Sequence, residues 1–209
     1  KIHPELPPNS PLNTQAVQWI RMGTTLATNA LLENKVEPVL LLITQGFNDL
    51  LKIGDQSRPQ LFNLNIPPLK SFYQSVLGVN ERVLPTPNGF KVLQAPDGAE
   101  IEASLRHAYG QGMRAVAVVL MHGYEFTEHE VLIGKLAKSI GFEQVSLSHE
   151  VMPSIKILER GNITVLDACL SPLIHSYVTR FQKGFTSNLP ENKLFFMQSH
   201  GGLCKAKEF

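Results

Sequence analysis

A chain of 209 residues, 43% hydrophobic and 18% charged, carries enough apolar side chain to bury one good-sized domain or two small ones. A formal net charge of +1, with the basic residues spread out, argues against a nucleic-acid or anionic-membrane surface. No stretch is long and apolar enough for a membrane-spanning helix, and two isolated cysteines, Cys169 and Cys204, fit a reducing compartment such as the cytoplasm.

Lys1 to Thr14 is rich in Pro and Asn and reads as a loose end. It has no secretory signal pattern and no initiator Met, so the chain is expected to begin inside a longer polypeptide. Val17 to Met22 is a short apolar run, expected to be a buried strand. Gly23-Thr24-Thr25 interrupts it, and a helical pattern begins at Leu26 with Thr24 or Thr25 as its cap. Val39 to Ile43 is continuously apolar, as in a strand covered on both faces. A short helix is expected within Gly46 to Leu51, and an irregular polar stretch from Gly54 to Pro68. Val76 to Val92, with the turn signal Pro87-Asn88-Gly89, predicts a hairpin inside an insertion over residues 69–98.

The second half alternates helix and strand. Ala99 to Tyr109 reads as helix and Ala115 to Met121 as buried strand. Thr127 to Ile140 is the clearest helix, with Thr127 and Glu130 as a capping box and Gly141 past its end. Val145 to Leu147 is a short strand, Asn162 to Phe181 a long helix kinked at Pro172, and Leu194 to Met197 a last strand. Strands alternating with helices predict an α/β fold with a mostly parallel sheet flanked by helices.

Three segments offer chemistry. Gly23-Thr24-Thr25 sits between a strand and a helix, where free backbone N–H groups and two hydroxyls suit an oxyanion, with Asn29 one turn further in. On local sequence alone, plain helix capping is the more frequent role for such threonines. The loop after Ile53 carries Gln56 and Arg58, and arginine is the usual fork for a carboxylate; a solvated loop reads the same way. Gln198-Ser199-His200-Gly201-Gly202 follows a strand and serves either a ligand or a tight turn. His149-Glu150 can transfer protons by type but has no identifiable partner in the sequence. There is no G-x-x-x-x-G-K-[ST] loop, no G-x-G-x-x-G, no G-x-S-x-G, and His129-Glu130 lacks the second histidine of H-E-x-x-H. No catalytic residue and no metal ligand is assigned.

Taken in order, several segments resemble one family. Gly23-Thr24-Thr25-Leu26-Ala27-Thr28-Asn29-Ala30 is similar to "GTT-x-ATNA", and Thr44-Gln45-Gly46-Phe47 through Gln56 and Arg58-Pro59 to "T-x-GF-x-D-x-L-x-IG-x-Q-x-RP". Glu81-Arg82-Val83, Val145-Ser146-Leu147-Ser148-His149-Glu150-Val151, Asp167 to Pro172 and Met197 to Leu203 resemble "ERV", "VSLSHEV", "NAYLSP" and "MQS-x-GGL". On these segments the chain resembles the hydantoinase A/oxoprolinase family, nearest its 5-oxoprolinase branch. The resemblance implies part of a lobe like those of actin, sugar kinases and chaperone ATPases. It implies ATP and Mg²⁺ as cofactors, and ATP-driven opening of a lactam, 5-oxo-L-proline to L-glutamate, in glutathione metabolism. It also implies phosphate or substrate contacts at Gly23, Thr24, Thr25 and Asn29, a substrate carboxylate at Gln56 and Arg58, and a cleft loop at Ser199, Gly201 and Gly202.

Two Gly-rich phosphate turns of the family have no counterpart here. The expectation is therefore a single partial domain over 1–209, inactive alone and completed by the rest of a larger enzyme or by a homodimer. A binding or structural remnant of the lobe, or a hydantoin-cleaving relative, are the alternatives.

Overall fold

The computed structural model describes residues 11–55, 57, 62, 70–186, 190, 193–198 and 201–205. They divide into two units, Lys1–Lys35 with Leu173–Phe209, and Val36–Pro172. Of the expected loose end, residues 1–10 lie outside the described residues; Leu12 is tied down by paired backbone hydrogen bonds, its N–H to Gly184 and its carbonyl from Thr186.

In the first unit, β1 (Ile20–Met22) is the short core of the expected Val17–Met22 strand. It leads through Gly23-Thr24-Thr25 into α1 (Leu26–Glu33), which ends at Asn34 in the left-handed conformation. β8 (Leu194–Met197) runs parallel to β1. It is not the last strand: β9 (Leu203–Lys205) returns antiparallel beside it. Leu194, Phe196 and Cys204 form the core of this sheet and pack on Tyr177, Val178 and Phe181 from the end of a long helix, α6 (Ile157–Gln182).

The second unit is a four-stranded, wholly parallel sheet in the order β3-β2-β6-β7. Its strands are β2 (Val39–Thr44), β3 (Ser75–Val79), β6 (Ala115–Val119) and β7 (Gln144–Leu147), the last followed directly by the single-turn α5 (Ser148–Val151). All of β2 and β6 is buried, and the two-residue period explains how. Leu40, Leu42, Val116 and Val118 face α3 (Gly98–Gly110) and α4 (Glu128–Ile140). Val39, Leu41, Ala115 and Ala117 face Val165, Ala168 and Cys169 of α6, and Leu51 of the single-turn α2 (Leu50–Ile53). Each fully buried Leu, Ile or Val contributes about 1.5–3 kcal/mol relative to exposure. The sequence-level expectation of a mostly parallel sheet between helices is what the chain adopts.

The predicted hairpin is β4 (Arg82–Thr86) with β5 (Gly89–Gln94), turning at Gly89, φ 119°. The run before it, Ser75–Val79, belongs instead to the edge of the parallel sheet. Asp97 caps α3 by accepting from the Ala99 and Glu100 N–H groups. Gly141 ends α4 in the left-handed conformation, as expected. The expected capping box on α4 does not form. Thr127 makes no side-chain cap bond, and Glu130 turns inward instead. The long helix starts five residues earlier than the apolar pattern predicts and carries Pro172 within it.

Cys169 has no solvent exposure, and burial pushes its thiol up to about 11. At pH 8 only about one molecule in a thousand then carries the reactive thiolate. A thiol reagent at pH 8, read by mass spectrometry on the Cys169 peptide, should label it only as the chain unfolds. Labelling of the folded protein at the rate of an exposed cysteine would contradict this packing.

Candidate functional site

The loops that follow the four parallel strands of the second unit carry a buried polar network. β2 ends in Thr44, which is fully buried. Its hydroxyl donates to Glu81 Oε1 at 2.5 Å and accepts from the Met121 N–H at 2.9 Å. Glu81 follows β3, is 4% exposed, and its Oε2 lies 2.9 Å from His129 Nδ1 on α4. The next residue on α4, Glu130, reaches a different set of partners. Its Oε1 accepts from the Leu120 N–H at 2.9 Å, after β6, and from the Ser148 hydroxyl at 2.7 Å, after β7. Its Oε2 accepts from the His149 N–H at 3.2 Å and meets His149 Nδ1 at 2.7 Å.

An ionised carboxylate only accepts hydrogen bonds. The Nδ1 atoms facing Glu81 and Glu130 therefore carry the protons, which fixes the tautomer of both rings. His149 has no partner legible in the sequence because that partner, Glu130, lies 19 residues upstream and has the spacing of a capping-box acid. No local signal announces the pairing.

Arg160 completes the network. Among the described residues it is the largest side chain with no exposure, and none of their carboxylates lies in direct contact with it. Its guanidinium donates to the carbonyls of Ser154 and Leu120 at 2.5 Å and of Met121 at 3.0 Å. Burial holds it below the ordinary arginine range, and the nearby Glu130 charge works against that shift. The Leu120 peptide thus bridges the two charges, its N–H to Glu130 and its C=O to Arg160. Gly123 passes so near that a Cβ there would sit 2.2 Å from Glu130 Oε1. Beside this loop, Phe90 of the hairpin packs against the rings of His122 and Phe126.

The residues singled out in the sequence occupy other places. Gly23 is exposed, and a Cβ there would meet nothing within 4 Å, so it borders open space. Thr24 Oγ1 accepts from the Leu26 N–H at 3.1 Å, so Thr24 rather than Thr25 supplies the hydroxyl at the start of α1. Thr25 Oγ1 accepts from Asn29 Nδ2 at 3.4 Å. Gly201, at φ 87°, and Gly202 form a tight turn closed by Gln198 N–H to the Gly202 carbonyl. Since Met22 pairs with Phe196 in parallel, Gly23–Thr25 and this turn leave the same edge of one sheet. Gln56, Arg58 and Ser199 lie outside the described residues. Of the residues near Gln56 and Arg58 in the chain, Gly54, Asp55 and Ser57 line a cleft of about 750 Å³ with Lys156, Leu158 and Asn162 around the start of α6.

Removing Glu130 leaves the Leu120 N–H, the Ser148 hydroxyl and the His149 donors without their acceptor, and a buried polar group left unpaired costs about 1–3 kcal/mol. Glu130→Ala should lose about that much in urea unfolding, and Gly123→Ala should also destabilise by crowding the same carboxylate. Wild-type stability in both would refute the network.

The comparisons with known proteins agree over nearly the whole chain. The family described as hydantoinase/oxoprolinase N-terminal region matches residues 5–141, and the one described as hydantoinase/oxoprolinase matches residues 160–209. The chain is 44% identical to a 5-oxoprolinase of Dictyostelium discoideum, over 95% of this chain and 17% of that protein. It is 37% identical to a 5-oxoprolinase of Saccharomyces cerevisiae, over 99% of this chain and 18% of that one. It therefore spans under a fifth of the length of these relatives. The ATP-dependent caprolactamase from Pseudomonas jessenii superposes with a TM-score of 0.72 at 26% identity, covering 88% of this chain and 27% of that one. A nucleotide-free acetone carboxylase shares the fold, with a TM-score of 0.72 at 18% identity, covering 91% of this chain and 28% of that one. Among the described residues no helix is long and apolar enough to cross a membrane. With one family match spanning well over half of its residues, and the motifs from Gly23 to Leu203 in order, the chain belongs to the hydantoinase/oxoprolinase family.

Proposed function

We propose that the chain is part of an ATP-dependent cyclic-amide hydrolase that opens 5-oxo-L-proline to L-glutamate. The observation that supports this most is 44% identity, sustained over 95% of the chain, to a protein named 5-oxoprolinase. The likeness to an ATP-dependent caprolactamase supports the wider class, ATP-driven lactam opening.

In this reading the edge that carries Gly23, Thr24 and Thr25 takes the phosphates of the nucleotide. The residues fit the group. Thr24 and Thr25 each use Oγ1 as an acceptor, which leaves each hydroxyl proton free to donate to a phosphate oxygen. Asn29 holds Thr25 in place, and the space in front of Gly23 is open. Gly201 and Gly202 leave the same edge of that sheet. ATP, when bound, supplies the phosphoryl group that activates the lactam oxygen. Mg²⁺, which usually keeps several waters and binds through substrate phosphates, would come with the nucleotide. Arg58 would fork the substrate carboxylate and Gln56 would orient it. The rest of a larger enzyme, or a second copy of this chain, would complete the site.

The test is the full-length gene product assayed for glutamate released from 5-oxoproline with ATP. Activity is expected, and Thr24→Ala combined with Thr25→Ala should lower kcat at least tenfold, since each lost donor to developing charge is worth on the order of 10²-fold at a preorganised site. A protein that hydrolyses hydantoin or caprolactam and leaves 5-oxoproline untouched would overturn the reading.

A further inference from the structure

The parallel sheet of the second unit ends in an unguarded edge. β3 lies at one end of the order β3-β2-β6-β7. Gln45 donates its N–H to the Val79 carbonyl at 2.8 Å, which sets the phase of the ladder between β2 and β3. Backbone groups alternate sides along a strand, so Ser75, Leu77 and Val79 turn theirs to β2, and Val76 and Gly78 turn theirs outward. Among the described residues no hydrogen bond reaches the N–H or C=O of Val76 or Gly78. Proteins ordinarily blunt such an edge with lysine, proline, a bulge or a covering segment. Ser75-Val76-Leu77-Gly78-Val79 has no charge and no proline, and its register with β2 runs without a shift. Between this strand and α3 lies a groove of about 430 Å³. Leu40, Leu77, Ala108 and Met113 make it apolar, and Ser104 and His107 of α3 line it as well. A strand laid along β3 would turn every second side chain toward α3, into this groove.

We propose that an extended, apolar segment of the same polypeptide, from outside residues 1–209, pairs with the outer edge of β3 and fills the groove against α3. It bonds its backbone to Val76 and Gly78 and sets its apolar side chains on Leu77, Ala108 and Met113. The chain covers 17% and 18% of two of its 5-oxoprolinase relatives, so a larger enzyme of that length has ample chain to supply the strand. The size of the edge favours a tethered occupant over a separate one. Five residues of strand extend about 17 Å. A contact of that length falls short of the roughly 800 Å² per partner that separate proteins bury in a stable complex. A segment of the same polypeptide is held near the edge by its own chain and loses less freedom on pairing. The inference rests on the reading of the chain as part of a larger enzyme, and not on which lactam that enzyme opens.

The test is amide hydrogen exchange in the full-length protein, resolved to single residues. Leu77 and Val79 are the internal reference, because their N–H groups face β2. The Val76 and Gly78 amides should exchange at least about 100-fold more slowly than in an unstructured peptide, in step with that reference. Benzoylphenylalanine in place of the exposed Ala103, which lines the groove, should crosslink on irradiation to a peptide of the same molecule outside residues 1–209. Mixing heavy- and light-isotope protein before irradiation separates a link within one molecule from a link between two. Rapid exchange at Val76 and Gly78 beside protected Leu77 and Val79 would show an open edge and overturn the proposal. So would a crosslink only to residues 1–209, to a second copy or to another protein, or no crosslink at all. A protein that meets both expectations yet leaves 5-oxoproline untouched brings down the functional reading and leaves this inference standing; an active enzyme with an open edge brings down this inference alone.

Discussion

The Glu130 carboxylate has no contact with water, and every loop around it is arranged to supply what water would have supplied. Leu120 gives it an N–H from the end of β6, Ser148 and His149 give it donors from the end of β7, and Gly123 leaves room for it by having no side chain. Its charge also offsets that of Arg160, which is buried against backbone carbonyls and has no carboxylate of its own. A charge in this position is costly unless each of these groups stays in register. The constraint runs outward from one atom pair to the conformation of two strand-to-helix connections. Those connections are where a parallel sheet presents its ligands.

The sheet beneath is simpler. Two strands with every residue buried need apolar cover on both faces, and α3 with α4 on one side and α6 on the other provide it. This part was legible in the sequence, because Val39–Ile43 and Ala115–Val119 are apolar without interruption and a covering helix carries an ordinary stop signal, Gly141 after α4. The polar network was not legible. Thr44 and Glu81 are 37 residues apart, Glu81 and His129 are 48 apart, and Glu130 and His149 are 19 apart. Periodicity reports which face of a helix is apolar. It does not report that an acid at the third position of α4 turns inward, and Thr127 with Glu130 has the spacing of a surface capping box. The family motifs did mark Glu81 and His149 as members of shared segments, without giving them roles.

The first unit shows the converse. Gly23-Thr24-Thr25 and Gly201-Gly202 were picked out on chemistry, and the parallel pairing of β1 with β8 brings both to one sheet edge. The detail differs in the hydroxyls, where Thr24 meets the helix N–H and Thr25 is held by Asn29. The strand after the glycine turn went unforeseen because Leu203–Lys205 is only three residues long and ends in a lysine.

The account places the chemistry of this family member in the loops that follow parallel strands, and a crystal structure of the full-length protein with 5-oxoproline bound tests that most directly. The account predicts the lactam at the carboxyl ends of those strands. A lactam bound at the amino ends of the strands, or wholly outside residues 1–209, would contradict it.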